Sequence, residues 1–135
     1  MNDIILNKTA TIERCVHRIH EVYEGNAENL KDFTKQDSII LNIQRACEAS
    51  IDLAMHVVSE RKLGVPKASR EGFKLLQEAG LLEGQLAKTL MNMVGFRNIA
   101  VHGYQVLELE VLVAILEKHI NDFKDFTKVV LQLES

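Results

Sequence analysis

The sequence predicts an all-α protein, and three observations carry that prediction. Proline occurs once, at Pro66, and glycine only seven times in 135 residues, so breakers of long helices are scarce. Apolar residues recur at intervals of three, four and seven, the period of one helix face. No segment alternates apolar and polar residues as a half-buried strand does. The expected architecture is an antiparallel helical bundle of about five helices. Without an internal repeat, a low-complexity stretch or a linker, residues 1–135 are expected to form one domain.

The elements follow in order. Ile5, Ile12, Val16, Ile19 and Tyr23 form one stripe, which predicts a first helix from about Asn2 to Tyr23, ended by Gly25-Asn26. Residues 27 to 36 are expected to form a connector, with at most one helical turn. Asp37 or Ser38 is the expected N-cap of the second helix. Its apolar face continues through Ile39, Ile43, Cys47, Ile51, Ala54, Val57 and Val58 and stops at Gly64 and Pro66. A third helix is expected over about Ser69 to Ala79, closed by Gly80. A fourth is expected from about Glu83 to Val94 or beyond. The fifth is expected from about Val106 to Leu133, with Leu109, Leu112, Val113, Leu116, Ile120, Phe123, Phe126, Val130 and Leu131 in a wide apolar stripe. A stripe that wide on a terminal helix predicts packing on its own bundle and on a second copy.

Bulk composition narrows the function classes. The hydrophobic share of 47% is that of a folded globular chain. A net charge of −3 argues against a general nucleic-acid coat, but leaves room for an enzyme that meets RNA through a small basic site. The N-terminus MNDIILNKTA lacks a long apolar run with a cleavage site, and no run approaches the length of a membrane helix. Both point to a cytoplasmic protein without membrane attachment. Cys15 and Cys47, within helical patterns, are expected to be reduced core thiols, and two cysteines give no metal framework.

The sequence changes character between the fourth and fifth helices, at Gly95-Phe96-Arg97-Asn98-Ile99-Ala100-Val101-His102-Gly103-Tyr104. Arg97 is permanently cationic, and its planar fork matches phosphate oxygens. His102 titrates near neutrality and can move a proton either way. Asn98 adds an amide donor. On a continuous helix the five-residue offset sets Arg97 and His102 about 140° apart. The pair therefore converges more easily if the helix ends or loosens near Val101, ahead of Gly103. Such a pair suits phosphodiester chemistry in which the ribose 2′-hydroxyl attacks its own phosphate and no metal-bound water is required. Taken alone, the pair also reads as a surface or capping feature, with Arg97 on helix-end carbonyls and His102 against the helix dipole.

Arg97 through His102 resembles the Arg-x(4–6)-His motif of HEPN domains, with Asn98 after the arginine, and the extension to Tyr104 resembles the Arg-x4-His-x-Tyr form of HepT-like toxins. Arg45-Ala46-Cys47-Glu48-Ala49, Arg70-Glu71-Gly72-Phe73 and Met93-Val94-Gly95-Phe96 are also similar to that group, so the resemblance runs from about Ile12 to Leu131. It implies a homodimer in which the motifs of two protomers face each other across a cleft. It implies a metal-independent ribonuclease toxin of a type VII toxin–antitoxin system, acting on tRNA or mRNA. The implied partner is a minimal nucleotidyltransferase antitoxin that transfers AMP from ATP onto Tyr104; the toxin itself needs no cofactor. In that scheme Arg97 binds the scissile phosphate, His102 is the general acid or base, and Asn98 orients. The adenylate on Tyr104 adds bulk and a phosphate that competes for Arg97.

Other candidates are weaker. His17 and His20, three apart beside Glu21, lack a matching pair of metal ligands elsewhere and read as surface residues. His56 reads as a packed helix residue, and His119 as a residue facing a dimer contact. Lys62, Lys67 and Arg70 around Pro66 read as solvated charge, or as contacts to RNA phosphates or to the antitoxin. Two further functions stand beside the ribonuclease: a non-catalytic nucleotide-binding partner of a nucleotidyltransferase, and a helical adaptor whose motif only caps a helix.

Overall fold

The computed structural model describes residues 2–103 and 109–134, with the side chains of residues 100–103 outside the description. Its helices are α1 (Asp3–Tyr23), α2 (Phe33–Glu60), α3 (Glu71–Glu78), α4 (Gly84–Gly103), α5 (Leu109–Lys118) and α6 (Asp122–Leu133), with a turn of 3₁₀ helix over Ala27–Lys31. No strand occurs among the described residues, in agreement with the all-α bundle expected from the sequence.

Helices α1 and α2 form an antiparallel hairpin. Asn2 Nδ2 donates to Glu60 Oε2 at 3.2 Å at one end, and Lys8 pairs with Asp52 at 3.0 Å further in. The hairpin turns because α1 closes on Glu24 and Gly25, both with positive φ (54° and 67°). The second helix starts five residues before the expected Asp37. Asp32 is its N-cap and accepts from the backbone N–H groups of Thr34 and Lys35 at 2.9 and 3.2 Å. The first turn of α2 carries no apolar stripe, and Phe33 is 77% exposed, so periodicity could not reveal this start.

Helices α3, α4 and α6 pack on the hairpin. Gly72 brings α3 close to α2: a Cβ at that position would lie 3.3 Å from the Ala54 Cβ and 3.5 Å from the Met55 sulfur. Phe73 from α3 meets Phe126 from α6 edge to face, with ring centroids 5.4 Å apart and planes at 72°. Both rings are buried. Phe126→Ala removes a fully buried ring between α3 and α6, and is expected to lower unfolding free energy by about 3–5 kcal/mol. Chemical denaturation measures this; a loss under about 1 kcal/mol would mean that the site collapses around the missing ring.

The expected fifth helix is two helices. Between α5 and α6, His119 Nδ1 approaches Asp122 Oδ2 at 3.1 Å, and the Asn121 Oδ1 lies 3.2 Å from His20 Nε2 on α1. These polar side chains are engaged at the break, while Ile120 and Phe123 keep the apolar stripe unbroken across it. The stripe therefore concealed the break.

Candidate active site

The fourth helix runs through the motif rather than loosening near Val101; α4 ends at Gly103. Its apolar residues Ala87, Leu90, Met93, Val94 and Phe96 are buried. Arg97 falls on the same side as Leu90 and Met93, seven and four residues before it, so its side chain is directed inward among the helices. It is only 18% exposed.

That position would be costly for an uncompensated guanidinium. Two side chains compensate it. Arg97 Nη1 donates to Glu48 Oε1 on α2 at 2.6 Å, and Arg97 Nη2 donates to Ser69 Oγ, just before α3, at 3.1 Å. Three segments distant in sequence thus meet at one guanidinium. The Ser69 loop is itself tied down, because the Lys67 backbone N–H donates to Glu71 Oε2 at 2.7 Å. Arg97 Nε is buried and has no hydrogen-bond partner among the described residues, so part of the fork is uncommitted there.

Glu48 and Ser69 were not singled out as site residues from sequence. Glu48 lies 49 positions from Arg97, and only the folded hairpin brings it there. The available signal was an acidic residue between Cys47 and Ala49, both buried, on the face of α2 that packs inward.

Cys47 lies behind this pair and donates from Sγ to the Met93 carbonyl at 3.5 Å. Burial pushes its thiol pKa up to about 12; the Arg97 charge opposes that rise and Glu48 adds to it. Burial also raises the Cys15 thiol. Both cysteines are free and buried, as expected. A thiol with a raised pKa is protonated below that pKa, so Cys47 should resist alkylation in native protein at pH 8 and react once unfolded. Rapid native labelling of Cys47 would contradict this environment.

The remaining predicted residues are placed unevenly. Asn98 is exposed on α4. His102 has a helical backbone, while its side chain lies outside the described residues, and Tyr104 lies outside them altogether. His17 is 77% exposed and 3.8 Å from Glu21, His56 is 17% exposed and 3.2 Å from Glu60, and no group of three or more metal-ligating side chains occurs among the described residues. An apolar groove of about 460 Å³ runs beside the motif, lined by Met93, Phe96, Ile99, Val111, Ile115 and His119 among others.

This geometry sits in a fold with known relatives. Residues 12–130 match the model of the ribonuclease HepT-like family. The chain belongs to that family. It is 49% identical over 130 residues to the mRNA nuclease HepT of Shewanella oneidensis, across 96% of this chain and 98% of that protein. Among solved structures, this HepT-like chain superposes with a TM-score of 0.91 on the tri-AMPylated HEPN toxin of Shewanella oneidensis in complex with its MNT antitoxin. That match has 50% identity and covers 98% of this chain and 99% of the other. A toxin–antitoxin crystal structure with AMP-PNP gives a TM-score of 0.90 at 48% identity, covering 96% of this chain and 99% of that one. The fold and family expected from the motif therefore hold over nearly the full chain.

Proposed function

We propose that this chain is the endoribonuclease toxin of a HEPN–nucleotidyltransferase toxin–antitoxin pair, acting in the cytoplasm on tRNA or mRNA without a metal ion. The observation that carries the reading is the inward Arg97 guanidinium, fixed by Glu48 and Ser69, within a HepT-like fold. An arginine held in one orientation can stabilise an added negative charge without first reorganising. In the reaction, the ribose 2′-oxygen bonds to phosphorus and the bond from phosphorus to the 5′-oxygen breaks. The 2′-hydroxyl proton leaves and the 5′-oxygen gains one. Arg97 holds the phosphate oxygens, Glu48 and Ser69 position Arg97, His102 carries one of the two protons and Asn98 orients the substrate.

The site is completed by a second copy. On the continuous α4 helix Arg97 and His102 stand about 140° apart, which disfavours a direct pair within one chain. Ile99 and Val111, each 46% exposed, line the groove beside the motif and offer apolar surface for a homodimer to cover.

Regulation falls to the antitoxin, a minimal nucleotidyltransferase, which moves AMP from ATP to the Tyr104 oxygen with release of pyrophosphate. Support comes from the tri-AMPylated state of the related toxin. No helix among the described residues is long and apolar enough to cross a membrane.

The test is to incubate purified, unmodified protein with tRNA and mRNA in EDTA. Fragments with 2′,3′-cyclic phosphate ends are expected. Intact RNA would favour a non-catalytic nucleotide-binding partner instead.

A further inference from the structure

A second arginine stands at the same corner. Arg70 follows Ser69 directly, and Ser69 accepts the Arg97 hydrogen bond. The Arg70 side chain reaches back onto α4: a Cβ built at Gly95 would lie 3.4 Å from Arg70 Nη2. The bare backbone at Gly95 gives the guanidinium a surface to lie on, two residues before Arg97.

Arg70 is exposed, and no acidic partner faces it among the described residues. The carboxylates nearest in sequence or in the site are already engaged, Glu71 with the Lys67 backbone and Glu48 with Arg97. Lys8 pairs with Asp52 at 3.0 Å and Arg61 donates to the Leu133 carbonyl at 2.9 Å, so these two cations are committed elsewhere. The Arg97 charge is offset by Glu48, whereas the Arg70 charge is not. Arg70 is therefore a source of attraction for a polyanion at this corner, and the one that lies against α4 beside Arg97, while the engaged Arg97 supplies orientation.

We propose that Arg70 binds the RNA phosphate next to the scissile one, so that Arg97 and Arg70 together grip two consecutive phosphates. The inference rests on the ribonuclease reading above. It assigns Arg70 to substrate binding and leaves the chemical step to Arg97 and His102.

The experiment measures binding of a fluorescent single-stranded RNA to His102→Ala protein, which holds RNA without cutting it, across a series of salt concentrations. Adding Arg70→Ala should weaken binding about tenfold and reduce the slope of log affinity against log salt by about 0.7, the value for one phosphate contact on a single strand. Arg70→Lys should restore most of the slope, and Arg70→Gln should behave like Arg70→Ala. In protein with His102 intact, Arg70→Ala should raise KM while kcat changes little. An unchanged slope in folded Arg70→Ala and Arg70→Gln proteins would overturn the assignment while the ribonuclease reading stands. If the His102→Ala parent binds no RNA at any salt and the wild-type protein cuts none, the ribonuclease reading fails and the assignment fails with it.

Discussion

Arg97→Ala is expected to lower RNA cleavage by about a hundredfold to a thousandfold or more and to leave the helical bundle folded. The expected size is that of deleting one preorganised charge-stabilising donor at a reacting phosphate. The stability cost stays near 1 kcal/mol, because the abandoned Glu48 carboxylate is 44% exposed and can be hydrated. Arg97→Lys is the sharper variant. A lysine keeps the charge but has no planar fork with which to reach both Glu48 and Ser69, so it should remain far below wild type. His102→Ala should lose about a hundredfold to ten-thousandfold, the usual contribution of a positioned acid or base. Cleavage assays and circular dichroism on the same preparations check all three. Near-normal cleavage by Arg97→Ala would remove the guanidinium from the chemistry.

AMP transfer to Tyr104 should silence the protein as fully as Arg97→Ala does. An adenylate on Tyr104, two residues after His102 in sequence, would add a phosphodiester charge and a base. Such a group is expected to compete with RNA for Arg97 and to hinder its approach. Incubation with the antitoxin and ATP should increase the mass of the peptide carrying Tyr104 by one or more adenylyl groups, and cleavage should fall in step. Tyr104→Phe should gain no mass and keep its activity in the presence of antitoxin and ATP. Equal labelling of Tyr104→Phe would place the modification on another residue.

Much of this fold was legible because apolar spacing is a direct record of helix faces. Ile5, Ile12, Val16, Ile19 and Tyr23 are all buried, as their stripe requires. The errors arose where that record is silent or misleading. The start of α2 depends on a cap at Asp32 in a stretch with no apolar stripe to read. The break between α5 and α6 lies within a stripe that continues across it through Ile120 and Phe123. At the site, Arg97 and His102 were legible as chemistry, but their surroundings were not. Glu48 and Ser69 reach Arg97 only through the packing of α2 and the α3 loop, which no local pattern encodes. The same contacts change the meaning of Arg97. It is an arginine built into the bundle by two partners, which a surface cap would not need.

In the proposed reaction Arg97 of one protomer is expected to work with His102 of its partner. Subunit complementation tests it most directly. Arg97→Ala and His102→Ala chains, co-expressed with different tags and purified through both, give mixed dimers that each hold one intact pair. Such dimers should cut RNA at about half the wild-type rate, although each parent homodimer is inactive. Mixed dimers as inactive as their parents would contradict the claim and put both groups to work within a single chain.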